Sequence, residues 1–255
     1  MKFAGIIAEY DPFHNGHAWQ LAQAKALGAE RVAVAMSCSL VQRGALPLLP
    51  EAVRTRSALT CGADLVFALP APCACAGAEA FARAGVALLA AAGCDGLVFG
   101  AETPDAALLM EAAELLDSGS YRAALKAQLA GGARSFAAAR QAAAAKLASD
   151  ERVAALLDKP NNNLAVEYCR AIRSLAPRME AYPLPRQGAN HGEALHSAHG
   201  QFASASALRK LWAEGGADAV APYVPEAVFP LYQEVYAAGQ YTDFSAAGRC
   251  ELALL

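Results

Sequence analysis

The chain has 255 residues, and its 21 Lys+Arg against 24 Asp+Glu leave a formal net charge of −3, which excludes an acidic tail or a basic nucleic-acid arm. With 56% hydrophobic and 18% charged residues it can bury a sizeable core as one large or two small domains, and disorder is excluded. No uncharged stretch reaches the roughly 18 residues of a membrane-spanning helix, so the expected compartment is the cytoplasm.

Lys2 to Tyr10 reads as a first strand and not as a signal peptide, with Glu9 inside it. Asp11 to His17 is a turn leading into a helix from Ala18 to Leu27. Arg31 to Ser37 is a second strand, Glu51 to Cys61 a helix, and Asp64 to Leu69 a third strand ended by a turn at Pro70 and Pro72. Ala76 to Ala92 is helical and Gly96 to Gly100 is a fourth strand. Near-continuous apolar strands alternating with helices are what a parallel sheet covered on both faces requires. The expected fold is therefore α/β, a doubly wound parallel sheet, with its core over residues 1–104.

Residues 105–158 change to alanine-rich helix with no strand candidate, which reads as a helical insertion. The remainder of the core, 159–255, holds a helix after Pro160 to about Leu175, a strand from Met179 to Pro183 and a loop from His191 to Gly200. A helix from Ala203 to Ala213 and another after Pro225 complete it. Cys250 to Leu255 stops inside an apolar pattern, so a further C-terminal part is expected.

The seven cysteines are odd in number, scattered and mostly within apolar segments, which suits reduced, buried side chains. Cys73 and Cys75 lack zinc-knuckle spacing, and His191, His196 and His199 have no carboxylate or cysteine to complete a ligand set, so no protein metal site is expected.

The chemistry concentrates where the first strand hands over to a helix, because parallel α/β sheets take ligands at the carboxyl ends of their strands. Phe13-His14-Asn15-Gly16-His17 places two histidines beside a glycine at a helix start. Gly16 lets the backbone approach a phosphate, the helix offers unpaired N–H groups, and His14 and His17 can donate hydrogen bonds to phosphoryl oxygens. This is an anion site without a Walker lysine. Further on, Ser204 or Ser206 can cap a helix and offer donors to phosphate, and Arg209 is a fork for phosphate oxygens.

His14-Asn15-Gly16-His17 resembles the HxGH signature of the nucleotidyltransferase superfamily, a HUP-like core, and Ala203 to Arg209 resembles its ISSTxIR partner motif. A closer resemblance runs along nearly the whole chain. Glu9 to His17, Val41-Gln42-Arg43-Gly44, Asp64-Leu65-Val66, Leu97 to Glu102, Lys159-Pro160-Asn161-Asn162 and Ser204 to Lys210 are similar, in order, to the tRNA(Met) cytidine acetate ligase family. The resemblance implies an enzyme that activates acetate with ATP as acetyl-adenylate and acetylates the wobble cytidine of elongator tRNA(Met). It implies catalytic roles for His14, His17 and Arg209, and a nucleotide site of Ile7, Ala8, Glu9, Tyr10, Asp11, Pro12, Phe13, His14, Asn15, Gly16, His17 and Gln20. Gly100, Asn161, Arg186, Ser204 and Ser206 join that site, with Mg²⁺ accompanying ATP. By themselves Gly100 also reads as a turn glycine, Asn161 as a helix cap, Arg186 as a solvated loop charge, and the two serines as a plain cap.

The chain departs from the family pattern at Asp11, where Asn is usual, at Cys38-Ser39, and at Glu51, where the family has lysine. Asp11 is expected to put a negative charge near the phosphates, favouring Mg²⁺ or weakening the nucleotide. Arg31, Arg43, Arg54, Arg56 and Lys210 are candidates for an RNA-facing patch, each equally readable as a solvated charge. An adenylyltransferase with a small-molecule acceptor and a degenerate nucleotide-binding module are the competing functions.

Overall fold

The computed structural model describes residues 1–132, 135–186, 195–197 and 200–243. The chain packs as two compact units, 1–76 with 187–255, and 77–186.

The first unit opens with β1 (Phe3–Ala8), α1 (Asn15–Ala26), β2 (Arg31–Ser37), α2 (Glu51–Thr60), β3 (Leu65–Leu69) and a single turn of helix, α3 (Ala71–Ala74). β2 pairs in parallel with β1, Phe3 opposite Arg31 through Ala8 opposite Met36, and with β3, Ala33 opposite Leu65 through Ser37 opposite Leu69. Val32 to Met36 are wholly buried, as a central parallel strand must be. Each such Val or Met contributes about 1.5–3 kcal/mol of burial. The Pro70/Pro72 segment expected as a turn is α3, with Pro72 in its first turn where no intrahelical N–H is needed.

The second unit holds α4 (Ala78–Ala91), β4 (Gly96–Ala101), α5 (Ala106–Asp117), α6 (Gly119–Ala130), α7 (Phe136–Leu147), α8 (Glu151–Leu156), α9 (Pro160–Leu175) and β5 (Glu180–Pro185). β4 and β5 pair in parallel, Gly96 opposite Glu180 through Ala101 opposite Pro185. The alanine-rich stretch is four helices, α5 to α8, whose starts are set by side-chain caps. Asp105 accepts from Leu108 N, Ser118 from Tyr121 N, Ser135 from Ala138 N and Asp150 from Arg152 N. Each cap stabilises its helix by about 1 kcal/mol. Glu167 on α9 is 3% exposed and lies between two arginines, Arg140 and Arg170, the latter at 2.7 Å. A buried carboxylate needs such partners.

The first unit resumes with β6 (Leu195–Ser197) and β7 (Gly200–Phe202), paired antiparallel. The expected loop over His191 to Gly200 is thus in part a hairpin, too short for any alternation of residues to reveal. His191 and His199 lie outside the described residues, as do Cys250 and the chain end. α10 (Ala205–Val220) is broken at Gly216, and after one 3-10 turn α11 (Phe229–Ala237) follows. Gly216 has φ of +69° and a Cβ there would meet Tyr236 Cζ at 2.4 Å, so only glycine fits the break. No helix among the described residues is long and apolar enough to cross a membrane.

Candidate functional site

β1 brings Ile7 and Ala8 to its carboxyl end opposite Ala35 and Met36, and Glu9 to Phe13 then turn the chain into α1. Tyr10 sits at φ of +51°, a left-handed conformation that costs a non-glycine residue about 1–3 kcal/mol. Its buried ring offsets that cost by packing edge-on against Phe13 at 4.9 Å and tilted against His17 at 4.8 Å. Pro12 and Phe13 are buried behind it, and Tyr232 on α11 donates to the Phe13 carbonyl at 2.7 Å. The turn is therefore fixed from three sides.

α1 begins at Asn15, three residues before the expected start, because the histidines themselves cap it. His14 Nδ1 accepts the Gly16 N–H at 3.0 Å, and His17 Nδ1 accepts the His14 N–H at 3.3 Å. Asn15 donates to the Pro222 carbonyl at 3.2 Å. The two imidazoles stack with centroids 3.7 Å apart. A neutral imidazole that accepts at Nδ1 carries its proton on Nε2, so the cap assigns one tautomer to both rings. The result is two Nε2–H donors at a helix N-terminus that has no acidic residue in its first turn, an arrangement suited to an anion. Gly16 also leaves room for the capping ring, since a Cβ would stand 2.9 Å from His14 Cε1 and displace it. Gln20 lies one turn along α1 and is half-buried.

Arg209, on α10, reaches this turn. Its Nη1 donates to the Asp11 carbonyl at 2.7 Å and to Asp11 Oδ2 at 3.1 Å. Asp11 Oδ1 accepts the Leu48 N–H at 2.6 Å. Burial pushes the Asp11 carboxyl above the usual carboxylate range, against the opposing pull of the Leu48 N–H and of Arg209 and Arg54. Asp11 is thus engaged on both oxygens by the protein itself, within the turn that carries the histidines. Among the described residues Nε and Nη2 of Arg209 have no partner, so the guanidinium presents one edge of its fork. Ser204 caps α10 by accepting from Ala207 N at 3.2 Å, and its hydroxyl lies 3.0 Å from that of Ser206.

Arg54 overturns its expectation as a solvated charge or RNA-facing residue. It is wholly buried and donates to the carbonyls of Leu49 (3.0 Å), Glu9 (2.8 Å), Ser37 (2.6 Å) and Cys38. Burial pulls the pKa of its guanidinium below the usual value, and the surrounding carboxylates oppose that shift. It ties the carboxyl ends of β1 and β2 together. Nothing in the local sequence distinguishes it from a surface arginine of α2, and the same is true of Tyr232, which reaches Phe13 from 219 residues away.

The second unit holds Gly100, Asn161 and Arg186. Gly100 is on β4, paired with Leu184, with open space where a Cβ would stand. Asn161 opens α9, and its Nδ2 and N–H both donate to Glu102 Oε1, at 2.6 and 3.2 Å. Glu102 Oε2 accepts from Asn162 N at 2.7 Å. Burial raises the Glu102 carboxyl, but these hydrogen bonds outweigh it and hold it below the usual range. Arg186 follows β5, its N–H donating to the Ala101 carbonyl at 3.2 Å. The first unit thus joins Arg209 to Asp11 in the turn of His14 and His17, with Ser204 and Ser206 at the start of the same helix as Arg209, while the second sets Gly100, Asn161 and Arg186 about the ends of β4 and β5.

The family model described as HIGH Nucleotidyl Transferase matches residues 1–252. A curated tRNA(Met) cytidine acetate ligase of Syntrophotalea carbinolica is 41% identical over 218 residues, which are 84% of this chain and 52% of the relative. The one from Caldanaerobacter subterraneus is 35% identical over 244 residues, 94% of this chain and 60% of the relative. The crystal structure of Thermotoga maritima TmcAL bound with alpha-thio ATP superposes with a TM-score of 0.84 at 30% identity, over 94% of this chain and 57% of that one. The apo form gives 0.86 at 31% identity. The chain spans little more than half the length of the relatives it matches, and its fold is the α/β nucleotidyltransferase type.

Proposed function

The chain belongs to the HIGH nucleotidyl transferase family, and on that premise we propose that it is a ligase that activates acetate with ATP and acetylates the wobble cytidine of elongator tRNA(Met). The observation that carries the chemistry is the double-histidine cap, which holds both imidazoles as Nε2–H donors beside the exposed edge of Arg209. An acetate oxygen attacks the α-phosphorus in line, forming acetyl-adenylate, and pyrophosphate leaves. Acetate is already a nucleophile, so this step needs no base. His14 and His17 stabilise charge on the pentacoordinate phosphorus, and Arg209 stabilises the departing pyrophosphate. In the second step the cytidine N4 attacks the acetyl carbon, AMP leaves, and N4 loses a proton.

The similarity to the nucleotide-bound Thermotoga relative supports ATP as the substrate, and the similarity to curated ligases supports acetate and tRNA(Met). Nucleotide binding is also proposed for Gly100, Asn161 and Arg186, and for Ser204 and Ser206. No group of three or more His, Cys, Asp or Glu among the described residues is placed to hold a metal, so Mg²⁺ would arrive on the triphosphate. A tRNA substrate sets the activity in the cytoplasm. Pyrophosphate exchange into ATP tests the reading: exchange that depends on acetate supports it, exchange that requires another acceptor makes the protein an adenylyltransferase of small molecules, and nucleotide binding without exchange refutes both.

A further inference from the structure

We propose that a cavity of about 540 Å³ in the first unit seats a cytosine base, recognised by its exocyclic amine. The inference rests on the function proposed above and adds to it a location for the acceptor. Such a volume falls within the roughly 300–1,000 Å³ of ligand clefts.

The cavity opens at the carboxyl end of β2, where Cys38 and Ser39 follow the strand, and is flanked by Leu46, Pro47 and Leu49 to Glu51 and by Gly239 to Thr242. The second wall is pinned to the first: Thr242 donates from its N–H to the Leu48 carbonyl at 2.8 Å and from Oγ1 to the Pro47 carbonyl at 2.6 Å. Tyr241 is braced for a flat ligand, stacked on Tyr236 at 5.4 Å and meeting Trp212 edge-on at 5.6 Å. Bases stack well on such tyrosines.

The charge of the lining selects among ligands. Among the described residues that line the cavity, Glu51 is the sole charged one and none is Lys, Arg or His. Among these described residues an amine finds a carboxylate, and phosphate or free acetate meets no cation. The Glu51 carboxylate is close enough to Cys38 to add to the burial that pushes the thiol up to about 11, which keeps that side chain neutral. A carboxylate accepting from cytosine N4 is a standard base-reading pair, and uracil presents a repelled oxygen at the same place.

The cavity is also rigidly coupled to the histidine turn. Arg54 bonds the carbonyls of Cys38 and Leu49, which line the cavity, and that of Glu9 beside the turn. Asp11, within the turn, accepts from Leu48 N between two lining residues. A base seated here is therefore held in fixed relation to the proposed adenylate centre.

Saturation-transfer NMR with cytidine and uridine tests the assignment on the full chain, on Glu51→Ala and on Tyr241→Ala. Cytidine should bind saturably, uridine about ten-fold or more weakly, and each variant should lose about ten-fold of cytidine affinity while acetate-dependent exchange stays within about two-fold. Equal binding of cytidine and uridine, or cytidine affinity unchanged in either variant, overturns the proposal. The nucleoside titration needs no ATP, so absent exchange defeats the ligase reading alone and leaves the cavity to be decided by the titration.

Discussion

Arg209 donates from one terminal nitrogen to both the backbone carbonyl and the carboxylate of Asp11, 198 residues earlier. The pair joins the double-histidine turn to the serine-arginine helix and fixes which edge of the guanidinium faces outward. Asp11→Ala should lower pyrophosphate exchange about ten-fold or more through misplacement of Arg209, and reduce stability by about 3 kcal/mol because it strands a partly buried cation and the Leu48 N–H. Exchange kinetics and urea unfolding measure the two effects separately.

The same carboxylate predicts a pH dependence. Its folded pKa lies above the ordinary value of 3.8, so it favours folding most below about pH 4, and that favour is lost as pH rises through the raised folded value. Asp11→Asn should remove that slope. Unfolding midpoints between about pH 3.5 and 7 check it, and parallel curves for the two proteins would count against a raised Asp11.

His14→Ala and His17→Ala should each slow adenylate formation about 10²–10³-fold, the usual loss of a donor aimed at developing charge. Removal of one cap costs only about 1 kcal/mol, so both variants should keep their circular dichroism spectrum.

Arg54→Lys should fail to rescue what Arg54→Met loses. A lysine has three donors about one nitrogen and cannot span the four carbonyls that Arg54 holds at the ends of β1 and β2. Each carbonyl left without a donor costs about 1–3 kcal/mol, so both variants should be unfolded or strongly destabilised in urea titrations.

Glu102→Gln should raise the KM for ATP about ten-fold with little change in kcat. A carboxylate only accepts, so Glu102 holds Nδ2 of Asn161 and leaves Oδ1 to face a ligand donor; a glutamine lets that amide turn over. Glu102 sits below its ordinary value of 4.5, so its hold on α9 is complete above about pH 4.5 and lost as pH falls further.

Local patterns carried most of the strand and helix assignments, since Arg31 to Ser37 is apolar throughout and Pro160 marks the first turn of α9. They also exposed the histidine pair, whose chemistry lies in five adjacent residues. What stayed hidden depends on contacts between distant segments. The partners of Asp11, Leu48 and Arg209, were hidden because they are far off in sequence. Arg54 looked solvated because only the fold surrounds it with carbonyls, and α1 seemed to begin late because histidine is an uncommon cap.

The central claim is that a triphosphate lies against the double-histidine cap. A crystal structure of this protein with a nonhydrolysable ATP analogue tests it most directly. The α-phosphate oxygens should stand about 3 Å from Nε2 of His14 and His17, with Arg209 on the outer phosphates. A nucleotide bound away from the β1–α1 turn, or histidines that leave Nδ1 caps to turn from it, would contradict the account.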